Sequence, residues 1–316
     1  MSGGPIVIGS SPSSGSTLLR TVLGRLPGVV SGGEIGALDR PHLFAADAET
    51  LRTQFDRWVR KSASRPFVTG MNRVFARCEQ WGWEQPELIE MGSSAGSWPE
   101  VLQRFFERAG GDRWLEKTPG NVYAFGETRA AFPDVQLIHL VRDGRDAAAS
   151  VMRRGASPFL AVSRWLCAAA AGLEHPDAYE LRYEALVREP SVEVERLCAY
   201  LGERFDEALL AGDDAAAPAL GSWSASAGGA ITTAAIGSYR DGDVETLLAH
   251  LGGVRLVSTG ESGLELLQRL GYDERATPRA LTAAEIAAAE TELDEYVRRE
   301  EQRHGVCLYP PPTRVR

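Results

Sequence analysis

The chain has 316 residues, 44% of them hydrophobic, enough to bury a large core in one α/β domain with helical additions rather than two independent domains. A formal net charge of −9 argues against nucleic acid or another polyanion as partner, since these are held by extended basic surfaces, and favours a neutral, apolar or basic acceptor. No apolar run is long enough to span a bilayer and no charged-apolar-small leader opens the sequence. The cysteines, Cys78, Cys167, Cys198 and Cys307, lack metal-ligand spacing, so a cytoplasmic protein with reduced, structural thiols is expected.

The first predicted element is a short apolar strand, Pro5-Ile6-Val7-Ile8-Gly9, followed by a small-residue loop from Ser10 to Gly15 and a helix opening with Ser16, Thr17, Leu18, Leu19 and Arg20. In such a loop backbone N–H groups wrap an anion, and the helix N-terminus adds the positive end of its dipole beside the Ser16 and Thr17 hydroxyls. Ser16 stands where a nucleoside-triphosphate loop, G-x-x-x-x-G-K-[ST], requires Lys, which disfavours Mg-ATP. Taken alone, the segment reads equally well as a strand-to-helix turn rich in small residues. A second strand is expected near Val29 and Val30, with Glu34 just beyond it after Gly32 and Gly33. Residues 35 to 110 carry little strand signal and many aromatics: Phe44, Phe55, Trp58, Phe67, Phe75, Trp81, Trp83 and Trp98. They read as a helical insertion whose aromatics form core more readily than a ligand box.

Trp114-Leu115-Glu116-Lys117-Thr118-Pro119 reads as a strand that delivers a lysine into a Pro-Gly turn. The apolar run from Val135 to Val141 ends in Arg142, turns at Asp143-Gly144, and enters an alanine-rich helix that carries Ser150 two turns in. Ligands of open parallel sheets collect outside the C-terminal strand ends, so these three strand ends share a rim where Arg142 and Ser150 meet one anion. Arg145 and Asp146 read as helix-start ion pairs. Residues 211 to 237 are too small and polar to build a core, and read as a cover over the ligand or as a plain surface loop. Residues 280 to 305 have the pattern of a capped, amphipathic helix.

In order and spacing these segments resemble the sulfotransferases that use 3′-phosphoadenosine 5′-phosphosulfate (PAPS), above all their bacterial, carbohydrate and tyrosylprotein branches. Pro12-Ser13-Ser14-Gly15-Ser16-Thr17-Leu18-Leu19 resembles the phosphosulfate loop P-[KR]-S-G-T-T-x-L, and Arg142 with Ser150 resembles the family's 3′-phosphate pair. Glu116 to Pro119 resembles E-K-[ST]-P, Leu181 to Pro190 resembles R-Y-E-D-L-V-x-x-P, and Ile236 to Arg240 resembles G-x-[WY]-[RK]. The resemblance covers about residues 5 to 242.

The resemblance implies a P-loop-like, three-layer α/β fold with a central parallel sheet and helical insertions. It implies transfer of a sulfuryl group from PAPS, with no metal required, to a hydroxyl of a small-molecule, sugar or lipid acceptor, leaving adenosine 3′,5′-bisphosphate. Nucleotide contacts are implied at Ser13, Ser14, Gly15, Ser16, Thr17, Arg142, Ser150, Tyr183, Tyr239 and Arg240. Lys117 is implied at the leaving oxygen, and Glu34 as the base, its carboxyl raised by burial against the acceptor pocket. His42 is the rival, as the residue type used by the cytosolic steroid and phenol branch. One departure stands out: Ser13 occupies the place of a loop Lys or Arg, and Lys117 and Arg20 are the expected substitutes. A relative repurposed to bind adenosine 3′,5′-bisphosphate without transfer is the main alternative, and an ATP-dependent phosphotransferase the lesser one. Acceptor identity and oligomeric state stay open.

Overall fold

The computed structural model describes residues 3–63, 78, 80–211, 231–272, 277–304 and 313–315. Chain order runs β1 (Ile6–Ser10), α1 (Ser16–Leu23), β2 (Val29–Ser31), then helices α2 (Pro41–Phe44), α3 (Ala48–Ala63), α4 (Gln85–Ser94) and α5 (Trp98–Glu107). It continues with β3 (Arg113–Lys117), a 3-10 turn at Pro119–Ala124, α6 (Phe125–Ala131), β4 (Gln136–Val141), α7 (Gly144–Met152), α8 (Pro158–Leu173), β5 (Tyr179–Arg182), α9 (Tyr183–Arg188) and α10 (Pro190–Leu201). The five strands form one parallel sheet in the order β2-β3-β1-β4-β5.

Side-chain alternation along the strands builds the layers. Ile6 and Ile8 of β1, with Ile138 and Leu140 of β4, pack against Leu19 and Leu23 of α1 and Leu197 of α10. Val7 and Leu137 point the other way, into a cluster with Phe105, Trp98, Phe125 and Ala168. With helices on both faces, every residue of β1 is buried, and continuous apolar runs are what such strands require. The expected α/β class with a central parallel sheet is therefore what the chain adopts.

Beyond the sheet, residues Ser238–Asp241 form a 3-10 turn, and α11 (Val244–Gly253) and α12 (Gly263–Arg269) pack on α8 with a small antiparallel pair, β6 (Val254–Leu256) and β7 (Thr313–Val315). A final helix, α13 (Ala283–His304), starts behind Thr282, whose hydroxyl accepts from the Glu285 N–H at 3.2 Å. Among the described residues no helix is long and apolar enough to cross a membrane. Cys167 and Cys198 are buried free thiols and Cys78 is buried; Cys307 lies outside the described residues.

Gly9 marks the closest approach between β1 and the turn after β3. A Cβ there would stand 2.6 Å from the Val122 backbone nitrogen and 2.7 Å from the Phe125 ring. Gly9→Ala is expected to lower unfolding free energy by about 1–3 kcal/mol, the usual cost of overpacking a core, as read by denaturant titration. An unchanged midpoint would show that the turn has room to move.

Candidate active site

The sheet order puts β3 on one side of β1 and β4 on the other, so β1 ends at a topological switch point, where a crevice opens outside the strand ends. The loop after β1 is flanked by Lys117, the last residue of β3, and by Arg142, the first after β4. Two loop residues take left-handed backbone, Ser13 (φ 68°) and Gly15 (φ 86°). At Gly15 the conformation and the space both call for glycine, because a Cβ would lie 2.5 Å from Cδ2 of Tyr183. The hydroxyls of Ser11 and Ser14 bond to each other at 2.6 Å, and Ser14 and Ser16 are buried.

At the Ser13 end, the Arg142 guanidinium donates to the Ser13 carbonyl at 2.8 Å and to the Ala235 carbonyl at 2.6 Å, and it lies 4.5 Å over the Tyr183 ring. Tyr183 is thus clamped between Arg142 and Gly15. Arg142 is only 6% exposed, and its Nε is a buried donor without a hydrogen-bond partner. Arg154, which the sequence reading did not single out, donates to the hydroxyl of Ser13 and, at 3.0 Å, to the hydroxyl of Ser150. Its position four residues past Ser150 is the signal that pointed there, since a long side chain at that spacing lies over the same helix face.

At the Thr17 end, Lys117 donates to the Thr17 hydroxyl at 3.2 Å and is ion-paired to Glu34. Burial lowers the Lys117 ammonium pKa, and the Glu34 charge opposes that shift. Burial falls on the lysine rather than on the expected base: the Lys117 side chain is 2% exposed and that of Glu34 30%. Arg20 donates to the Gly32 carbonyl at 2.7 Å. Of the two expected substitute cations, Lys117 therefore serves the Thr17 end of the loop and Arg20 holds the backbone after β2, while the cations that touch Ser13 are Arg142 and Arg154.

Burial raises the Glu116 carboxyl, pushed up to about 7. It accepts from the Thr118 hydroxyl at 2.6 Å, from Asn121, and from the Ile35 N–H at 3.4 Å, while the Thr118 hydroxyl accepts from the Gly36 N–H at 3.3 Å. Two indole N–H groups hold the same segment: Trp81 donates to the Gly33 carbonyl at 3.1 Å and Trp98 to the Ala37 carbonyl at 3.3 Å. Phe55, Trp81, Trp83 and Trp98 are core residues, Phe44 is packed against that core, and the Trp58 side chain, Phe67 and Phe75 lie outside what is described. His42, in α2, has its pKa lowered to about 4 by burial and by the Arg40 charge, so the ring is neutral near pH 7; its Nε2 is buried without a partner.

Asp146 departs from expectation. Instead of a helix-start ion pair it accepts from the backbone N–H groups of Gly237 at 2.7 Å and Tyr239 at 2.9 Å, tying the Ser238–Asp241 turn to α7. Arg145 does pair at the helix start, with Asp143 at 2.6 Å, and lies 5.0 Å over the Tyr239 ring. Arg240 lies 4.7 Å over the Tyr239 ring as well, and both line a cavity of about 520 Å³ with Arg145, Arg182 and Tyr272. Of the stretch expected as a cover, residues 212–230 lie outside the described residues; Ala235 beyond it is the acceptor for Arg142.

Comparison with known proteins gives the family and the fold. The profile of the sulfotransferase family matches residues 5–207. Among solved structures, the sulfotransferase domain of the olefin synthase of Synechococcus PCC 7002 is similar to the chain, with a TM-score of 0.62 and 22% identity over 86% of this chain and 97% of that one. The sulfotransferase domain from the curacin biosynthetic pathway has a TM-score of 0.52 and 21% identity over 86% of this chain and 98% of that one. At these identities the likeness is one of fold. No curated protein matches the chain.

Glu116 yields a pH test. Its carboxyl, ordinarily near 4.5, titrates near 7 in the fold. The folded state therefore keeps a proton that the unfolded chain releases. The contribution of this group to stability is full below about pH 4.5, declines as pH rises to about 7, and is level above that. Glu116→Gln removes the titration, so denaturant unfolding should show the variant gaining on wild type across that window. Parallel profiles would rule out a buried, titrating Glu116.

Proposed function

The chain belongs to the sulfotransferase family, and we propose that it moves a sulfuryl group from PAPS to a hydroxyl of a small-molecule, sugar or lipid acceptor, a secondary metabolite among them. The observation that carries the donor assignment is the two-ended loop: Arg142 and Arg154 at Ser13, Lys117 at Thr17. Two separated cationic ends suit a nucleotide with two separated anionic groups. The orphaned, buried Nε of Arg142 fits a phosphate oxygen, a strong acceptor for a guanidinium. When bound, PAPS supplies a sulfuryl group on a phosphosulfate linkage whose cleavage leaves charge on the 5′-phosphate.

In this reading Arg142 and Ser150 hold the 3′-phosphate. The unpaired N–H groups in the first turn of α1, with the Ser14, Ser16 and Thr17 hydroxyls, hold the 5′ end, and Gly15 admits the close approach of the backbone. Tyr183 orders the nucleoside side, with Tyr239 and Arg240 behind it. Lys117 holds its ammonium where negative charge grows on the leaving oxygen. Glu34 takes the proton of the acceptor hydroxyl, and its pairing with Lys117 keeps base and ammonium side by side before the acceptor arrives. The buried, free thiols of Cys167 and Cys198 fit a reducing compartment, the cytoplasm. The whole chain acts as one sulfotransferase domain, with the α2–α5 region as an insertion that fixes the Glu34 segment.

Glu34→Gln should keep nucleotide affinity and lower turnover by about 10²–10⁴, the usual share of a general base, with sulfated product followed by mass spectrometry. Loss of turnover in His42→Ala, with Glu34→Gln within a few-fold of wild type, would move the base to His42.

Calorimetry without added metal should show adenosine 3′,5′-bisphosphate binding. Arg142→Ala should weaken that binding on the order of tenfold to a hundredfold, the value of a charge-assisted hydrogen bond, and change adenosine 5′-phosphosulfate little. Equal losses for both ligands would make Arg142 a support for Ser13 and Ala235 rather than a reader of the 3′-phosphate.

A further inference from the structure

The cavity of about 520 Å³ lined by Tyr239 and Arg240 opens where β4 and β5 end, between Asp143 and Arg182. These strands stand three and four places from β2 in the sheet. At about 4.8 Å per spacing, the cavity lies about 14–19 Å across the sheet from the Glu34 segment that follows β2. None of the phosphate-loop residues, nor Arg142, Ser150 or Tyr183, lines it. It is a separate space, of a size that holds a small ligand.

Its charges do not balance. Asp143 is spent on Arg145, accepting from the backbone N–H at 2.9 Å and from the guanidinium at 2.6 Å. Glu184 is spent on the Asp143 N–H and the Tyr272 hydroxyl, both at 2.9 Å. That leaves one lining carboxylate, the exposed Glu189, against three guanidinium groups. Arg182 has an exposed pair with Glu180 at 3.4 Å, and Arg188 and Arg240 have no ion pair or side-chain hydrogen bond among the described residues. In a chain with 43 acidic against 34 basic residues, such a surplus is local. Arg240 is also placed without help from a carboxylate. Its guanidinium lies 4.7 Å over the Tyr239 ring, which already carries Arg145 at 5.0 Å, and against Gly237, where a Cβ would stand 2.5 Å from Nη1.

We propose that this cavity is a binding site for a small phosphate monoester, its phosphoryl group held by Arg188 and Arg240 and its apolar body by Ile236 and Ala185. The two guanidinium groups reach the cavity from different elements, Arg188 from the end of α9 and Arg240 from the Ser238–Asp241 turn. A carboxylate offers two oxygens and suits one guanidinium fork. A phosphoryl group offers three oxygens and up to two charges, and so serves two forks at once. The site stands independently of the nucleotide reading above, because it shares no residue with the phosphate loop.

The test is calorimetry of phenyl phosphate and of benzoate, in chloride buffer without added metal, on wild type, Arg188→Ala, Arg188→Lys, Arg240→Ala and Arg142→Ala. Wild type should bind phenyl phosphate and hold benzoate far more weakly. Arg188→Ala and Arg240→Ala should each weaken phenyl phosphate on the order of tenfold to a hundredfold, and Arg188→Lys should recover part of the loss by keeping the charge. Arg142→Ala should leave it unchanged. Circular dichroism of each variant checks that the fold is kept, and Arg188, exposed at a helix end, can be lost without disturbing the core. Binding that Arg142→Ala abolishes and the other two alanine variants leave intact would put the phosphate on the nucleotide loop and overturn the site. So would binding equal in every variant, benzoate held as tightly as phenyl phosphate, or no binding by wild type. Failure of the nucleotide reading shows separately, as absent adenosine 3′,5′-bisphosphate binding beside intact phenyl phosphate binding.

Discussion

Lys117 buries an ammonium group at the end of a central strand, and much of the site answers to that charge. Taking such a group out of water costs several kcal/mol unless a partner is supplied in good geometry. The partner is Glu34, and it comes from the far side of β2. The Glu34 segment is therefore pinned at four backbone groups: the Gly33 and Ala37 carbonyls by Trp81 and Trp98, the Ile35 and Gly36 N–H groups by Glu116 and Thr118. Those two indoles sit in the core of the α2–α5 region, so the packing of that region fixes the backbone on either side of the carboxylate. Aromatics that look like filler in the sequence act here as hydrogen-bond donors with large apolar bodies behind them.

The opposite end of the loop is held by different means. Tyr183 is wedged between Gly15 and Arg142, and the carbonyl of Arg142 itself accepts from the Trp165 indole at 3.1 Å. Arg142 in turn grips Ala235, and Asp146 grips the N–H groups of Gly237 and Tyr239. One strand end thereby joins the phosphate loop, α7, α8 and the Ser238–Asp241 turn. A substitution at any of these points acts on the loop without touching a ligand.

The strands, the loop and the Arg142–Ser150 spacing are legible in the sequence because each is local: an apolar run, a cluster of small residues, a fixed offset along one helix. Sheet order is not local. That β3 inserts between β2 and β1, and so carries Lys117 to Thr17 and Glu34, depends on contacts between residues far apart in sequence, such as Ile8 beside Lys117. The roles of Glu116 and Asp146 were hidden for a related reason. Acidic residues near a strand end or a helix start read as solvated or ion-paired, yet here one is wholly buried and the other is spent on the backbone of a segment more than ninety residues away. Arg154 carries one local signal, its place four residues past Ser150 on the same helix face, but that spacing alone does not separate an arginine bonded to the loop from a solvated charge.

The two cationic ends also differ in rigidity. Lys117 is 3% exposed, sits on a strand, and is fixed by an ion pair and a hydroxyl. Arg154 is exposed, lies past the last turn of a helix, and reaches the loop through a long side chain. Groups that stabilise developing charge work best when they need no reorganisation as a reaction proceeds, and a buried, strand-borne cation such as Lys117 meets that condition. Between these ends the loop is shaped by Tyr183 against Gly15, by the Ser11–Ser14 hydroxyl pair and by the guanidinium contacts to Ser13, so no cation from within the loop is needed to hold its backbone.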